Sequence, residues 1–344
     1  MELVIIALRG PASFRNQADL ISKCARANGW GVQDKSLQEA VVGPPKDRSD
    51  MLITVMPLWP RYIFDVVRFT AWSTRDHVIY GPVDGPYQMN INLFQVMRNM
   101  KFAAPSEWCA EQIRASAGVP CGVTPHGIDH ADFKFSLEQI VAQRQVWAPK
   151  NPDRTILFSN VNPIHRKGFP HLCKALKILH GKLGDKFLMV LHTGKARARS
   201  LYPDILKTPG LLIEDTYNTL PFRAIALKTA AADVLVSPSL NEGFGLTILE
   251  GMAAQRIIVC LDAPAMNELV DDTTAWMFPM TELKVERWKN GALAHLHEYN
   301  PASLASAMEK AITREAESKK KAEAAYKKSL EYDYLKVYKP FLTR

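Results

Sequence analysis

The chain has 344 residues, too many for one typical core and enough for two domains. Apolar residues make up 47% and charged residues 23%, which excludes an intrinsically disordered chain, and no apolar run reaches the ~18 residues that a bilayer span needs. The net charge of +8 divides into +2 over residues 1–150 (16 basic, 14 acidic) and +6 over residues 151–344 (27 basic, 21 acidic), and favours anionic partners such as nucleotides, membrane surfaces or nucleic acid.

The chain starts with an apolar run, Leu3 to Leu8, that reads as a first strand and not as a signal peptide, since no basic stretch precedes it. A loop with Gly10 follows, then a helix over roughly Gln17 to Asn28, stopped by Gly29. Gly10 reads either as a close-approach position for a ligand or as a plain turn. Met51 to Met56 is a buried strand closed by prolines. His77 to Tyr80 is a short strand running into a Pro/Gly loop that holds Asp84. Lys101 to Ala104 and Cys121 onward are strands, with a helix between them that opens on Pro105-Ser106. Alternation of this kind implies a mostly parallel sheet with helices on its faces. Ala131 to Asp153 carries two prolines and no clear strand, and reads as the inter-domain linker. A second series then opens: strands at Arg154 to Ser159, Phe187 to Leu191, Leu211 to Glu214, Ala231 to Val236 and Ile257 to Leu261. Helices are expected from Lys167 to His180, over Phe222 to Ala231, after Gly245 and near Met266. Thr281 to Asn300 fits no pattern; a long charged helix from Pro301 and an aromatic tail close the chain. The Lys319–Lys321 run reads as a solvated helix face before it reads as a binding patch. Five scattered cysteines favour free thiols in a reducing cytoplasm. His165, His171, His180 and His192 lack metal-ligand spacing.

The stretch from Ser237 to Ala254 organises the second series. A strand runs into Asn241-Glu242-Gly243-Phe244-Gly245, and apolar residues then recur at Leu246, Leu249, Met252 and Ala253 with helical spacing. The first N–H groups of a helix lack internal partners and its dipole is positive there, so a glycine-lined corner suits a phosphate. Glu242 in the loop and Glu250 in the helix can each accept hydrogen bonds from hydroxyls. Phosphates flanked by two polyol-binding acids suggest a nucleotide sugar.

Glu242-Gly-Phe-Gly-Leu-x-x-Leu-Glu250-x-Met-Ala, with its two acids eight residues apart, resembles the donor-site motif of retaining glycosyltransferases of family 4 (glycosyl transferases group 1), which have the GT-B fold. The likeness runs best from Thr155 to about Val270 and more weakly from Val78 to Asp132. It implies an α/β protein of two Rossmann-like domains facing a central cleft: residues 1–148 on the acceptor side, residues 149–325 binding the nucleotide sugar, and a tail of about 326–344 crossing back to the first domain. It implies a metal-independent hexosyltransferase without a cofactor, located in the cytoplasm. By this resemblance Arg166 and Lys167 are the basic pair that stabilises the departing diphosphate, Glu242 the acid near the transferred sugar, and Glu250 the acid on the ribose. Gly243, Phe244, Gly245 and Leu246 offer backbone N–H groups to the phosphates. Asp84 matches the loop that approaches the sugar, either orienting an acceptor hydroxyl or capping its own turn. His126, in Pro-His-Gly-Ile-Asp, reads as a donor-site residue or as a buried histidine.

Two departures from the family pattern stand out. Where relatives carry an arginine after the preceding strand, this chain has Asn160-Val161-Asn162; Ala254-Gln255-Arg256 replaces a customary glycine turn. The acceptor is a glycan, lipid or small-molecule hydroxyl, or DNA bearing hydroxymethylated pyrimidines as some phage enzymes use; peripheral membrane contact is left open. The missing arginine motivates a non-enzyme alternative, a sugar-nucleotide-binding protein that has lost turnover, and a GT-B epimerase could share the fold.

Overall fold

The computed structural model describes residues 1–8, 12–43, 48–86, 96–98, 100–217, 219–288 and 293–343. It divides into two units: Met1–Ile128 with Val285–His295 and Tyr332–Arg344, and Asp129–Lys284 with Leu296–Glu331.

The first unit is built on six parallel strands, β1 (Glu2–Ala7), β2 (Gly31–Ser36), β3 (Ser49–Val55), β4 (Ser73–Tyr80), β5 (Lys101–Ala104) and β6 (Cys121–Val123), in the order β2-β1-β3-β4-β5-β6. β1 is buried from Leu3 to Ala7 without alternation, as expected of a parallel strand covered on both faces. Each of its fully buried large side chains contributes about 1.5–3 kcal/mol by leaving water. The helix Ala12–Ala27 starts earlier than its apolar spacing indicates, and sends Phe14, Ala18, Ile21 and Ala25 into the core. The C-terminal helix Tyr334–Leu342 joins that core through Tyr338, Phe341 and Leu342. Its Tyr338 hydroxyl accepts from the Gly127 N–H at 2.9 Å, which fixes the tail to the loop after β6.

The second unit carries β7 (Thr155–Asn160), β8 (Phe187–His192), β9 (Leu211–Glu214), β10 (Val234–Ser237), β11 (Ile257–Asp262) and β12 (Trp276–Pro279), in the order β12-β11-β10-β7-β8-β9. Its first strand is central. The next two lie to one side and the last three to the other, so the winding direction reverses between β7 and β10. In doubly wound sheets ligands bind outside the carboxyl ends of the strands at this reversal.

Three stretches differ from their sequence reading. Leu137–Trp147, inside the presumed linker, is a helix opened by a capping box between Ser136 and Gln139, and Trp147 is buried against Phe158 of β7. The helix expected from Lys167 begins instead at Phe169; His165–Lys167 is a separate 3-10 turn, ended by Gly168 at φ +67. Thr281–Asn300 holds two strands, β13 (Glu282–Arg287) and β14 (Leu293–Glu298), that form a small sheet of their own. All five cysteines are free, and no described helix is long and apolar enough to cross a membrane.

Candidate active site

The loops that follow β7 and β10 meet in the second unit. β7 pairs with β10 through Leu157 and Phe158 opposite Val234 and Leu235. From the end of β7 the chain reaches the turn with Arg166 and Lys167; from the end of β10 it reaches Leu240, Asn241 and Glu242. The Leu240 N–H donates to the Arg166 carbonyl at 2.8 Å, and Arg166 Nη1 donates to the Asn241 carbonyl at 3.2 Å. The two loops are thus tied backbone to backbone. Gly168 permits this closeness: a Cβ there would stand 1.7 Å from the Pro238 carbonyl oxygen, and its φ of +67 is left-handed.

These ties place Lys167 Nζ 2.5 Å from Glu242 Oε1, both side chains mostly buried. Burial pushes the Glu242 carboxyl upward, but Lys167 and Arg166, with hydrogen bonds from Lys167 and Ser239, outweigh it and hold it below the usual range. Gly245, left-handed at φ +100, then starts the helix Leu246–Ala253. Along that helix Leu246, Thr247 and Glu250 are half-buried while Ile248, Leu249 and Met252 are buried, the expected 3.6-residue split. Glu250 is therefore on the face that Gly245 leads into. Burial pushes its carboxyl to about 8.

Residues that sequence reasoning did not single out complete the edge. His192, at the end of β8, stands 2.9 Å from Asn160 Oδ1 and 3.1 Å from Thr216 Oγ1, so it joins the ends of β7, β8 and β9. Its ring lies 5.8 Å from that of Tyr217. Burial raises the Tyr217 phenol; Arg166 and Arg197 pull it down while Glu242 and Glu250 push it up. Tyr217 is therefore within electrostatic reach of both acids and of two arginines. It sits three residues past β9, and the rule that sites form at the carboxyl ends of parallel strands was the signal for it.

The structure thus brings Arg166, Lys167, Glu242 and the Gly243–Leu246 turn together in the second unit, with Glu250 one helical turn further on. Asp84 and His126 are in the first unit. Asp84 is buried after β4, where its Oδ2 accepts from Trp59 Nε1 at 3.0 Å and its carbonyl from the His295 N–H at 2.9 Å. His126 is buried with Nδ1 2.6 Å from the Tyr80 hydroxyl, and burial drops its pKa to about 3, so the ring is neutral. Gly10 lies outside the described residues. In the Ala254-Gln255-Arg256 turn, Gln255 takes the left-handed φ of 59 where relatives place glycine, and Arg256 ties the turn to the Ala254 and Ala232 carbonyls.

Comparison with known proteins follows this geometry. Over its whole length the chain superposes on HepE of Anabaena in complex with UDP and glucose, at 13% identity, covering 100% of this chain and 98% of that one, with a TM-score of 0.73. Sucrose-phosphate synthase of Thermosynechococcus elongatus gives 12% identity, 100% and 98% coverage and a TM-score of 0.75. A glycosyltransferase of Rickettsia africae gives 14%, 99% and 97%, and 0.74. The fold is therefore GT-B, with a Rossmann-like sheet in each unit. Residues 153–314 match the family model described as Glycosyl transferases group 1, and the chain resembles that group through the unit holding the Lys167–Glu242 pair. A comparison with curated protein sequences finds no match.

Proposed function

We propose that the chain is a retaining glycosyltransferase that moves a hexose from a nucleotide diphosphate sugar to a hydroxyl of a glycan, lipid or small molecule. One observation carries the reading: Lys167 touches Glu242 where the sheet of the second unit reverses its winding, and Glu250 follows one helical turn beyond a left-handed glycine. The donor's diphosphate leaves with accumulating negative charge, and cations already fixed beside it stabilise that charge more than the ground state. Lys167 and Arg166 supply them. Arg166, bonded to the Asn241 carbonyl, answers for the arginine missing near Asn160. Glu242 opposes the positive charge that develops on the sugar ring, and no covalent nucleophile is assigned to it. Glu250 accepts from the ribose hydroxyls, and hydrogen bonds to its charged form draw its pKa back down. The UDP bound by HepE makes uridine the base to try first.

The test is a thermal-shift panel of nucleotide sugars, since a ligand of the native state raises the melting point by mass action. The donor that stabilises the protein is then incubated with candidate acceptors and the product's anomeric configuration read by NMR. Release of nucleoside diphosphate with an unchanged anomeric configuration supports the reading. No stabilising donor, or an inverted product, contradicts it.

A further inference from the structure

The segment Leu296–Tyr299 of the second unit braces the two loops of the site from behind. The Tyr299 hydroxyl donates to the Pro238 carbonyl at 2.7 Å. That carbonyl is the one a Cβ on Gly168 would strike, with the Tyr299 oxygen 2.8 Å from the same point. Tyr299, Pro238 and Gly168 therefore converge one residue after Lys167 and four before Glu242. His297 adds a second brace: its N–H donates to the Leu240 carbonyl at 2.8 Å, and its Nδ1 stands 3.2 Å from that oxygen. The brace is itself fixed. Tyr299 is buried between His171 and Phe278, each with its ring centre 4.7 Å away, and His171 Nε2 lies 3.0 Å from Glu298 Oε2. Burial, with Glu298 beside it, raises the Tyr299 phenol well above its ordinary value, so the hydroxyl keeps its proton and remains a donor.

We propose that Tyr299, with His297 beside it, is a positioning residue that holds Lys167 and Glu242 at contact distance by fixing the Pro238–Leu240 backbone against the Arg166–Gly168 turn. Neither side chain reaches the reacting atoms; both act through the loops that carry them. The proposal rests on the roles given above to Lys167 and Glu242. It matters because the pair spans loops from two different strands, and a displacement of about 1 Å in such a constellation costs on the order of a hundredfold in rate.

Tyr299→Phe removes the hydroxyl and keeps the ring. Two readouts separate positioning from support of the fold. The first needs no turnover: the Glu242 carboxyl is titrated by NMR in 13C-glutamate-labelled protein, assigned with Glu242→Gln. Glu242 faces Lys167, Arg166, Ser239 and Tyr217, and burial is the largest influence on it. Loosening Lys167 leaves burial unopposed, so the titration moves to higher pH in Tyr299→Phe and, by less, in His297→Ala. The second is kinetic: nucleoside diphosphate release per folded enzyme falls roughly tenfold or more, while the Kd for UDP changes less than about twofold. A purely structural role lowers the melting point and moves neither readout. Turnover in wild type with both readouts unmoved in both variants overturns the positioning role and leaves the transferase reading intact. A wild type without turnover on any donor, but with the titration displaced, removes the transferase reading and leaves the positioning role standing. Should Tyr299→Phe fail to fold, His297→Ala carries the same test.

Discussion

Glu250→Gln is predicted to stabilise the second unit in alkaline solution while weakening its hold on a donor. Burial pushes the Glu250 carboxyl from 4.5 to about 8, so the native state binds that proton more tightly than the unfolded chain does. Below pH 4.5 both states are protonated and nothing is lost. As pH rises through 4.5 the unfolded chain ionises first, and stability falls until about pH 8, where the native carboxyl follows; above that the loss is constant. At 1.36 kcal/mol per pH unit, the displacement from 4.5 to about 8 amounts to about 5 kcal/mol. The side chain is half-buried, and relaxation toward water brings the expected gain at pH 9 to about 3–5 kcal/mol. At pH 5 the gain is less than about 1 kcal/mol. Calorimetric melting at both values reads the difference, since 1 kcal/mol moves the transition of a unit this size by roughly 2–4 °C. An equal gain at pH 5 and pH 9, or none at pH 9, refutes the reasoning.

Lys167→Ala is expected to slow transfer by on the order of a hundredfold, and to send the Glu242 titration upward because burial is then less opposed; a wild-type rate contradicts the role. Burial holds His126 at about 3 and His77 at about 4. The first unit is thus fully stable above about 6.5 and loses about 3 kcal/mol per histidine by pH 4, as the unfolded chain takes up protons first. Urea unfolding at pH 7 and pH 4.5 checks this, and His77→Gln flattens the slope. Gln255→Gly removes a left-handed conformation that costs a side chain about 1–2 kcal/mol, against about 0.5–1 kcal/mol of added chain freedom, for a net gain of about 0.5–1 kcal/mol in denaturant midpoint stability; a loss contradicts it.

What the sequence made legible follows from burial. Strands covered on both faces, such as β1 and β8, are continuous apolar runs bounded by turn residues, and they read directly. β2, with the sequence Gly-Val-Gln-Asp-Lys-Ser at the edge of its sheet, buries only its last residue fully and leaves no such run. β13 is exposed at every position, so nothing in its pattern answers to a core. The helix Leu137–Trp147 exposes Leu137, Val141 and Val146 and lacks an apolar stripe; its Ser-x-x-Gln capping box was the readable sign. In the site, the glycine corner was legible because φ values of the left-handed kind demand glycine. Lys167 looked helical because periodicity alone does not register that Gly168 reverses the chain. Tyr217 and His192 were not legible as site residues, since only the strand order puts the ends of β8 and β9 beside β7.

The account's central claim is that Lys167 and Glu250 grip the two ends of one nucleotide. Isothermal titration of UDP into wild type, Lys167→Ala and Glu250→Ala tests it most directly. Charge-assisted hydrogen bonds contribute about 1.5–3 kcal/mol each, so the account predicts a Kd weakened by roughly tenfold to a hundredfold in either variant. Wild-type affinity in both variants would contradict it.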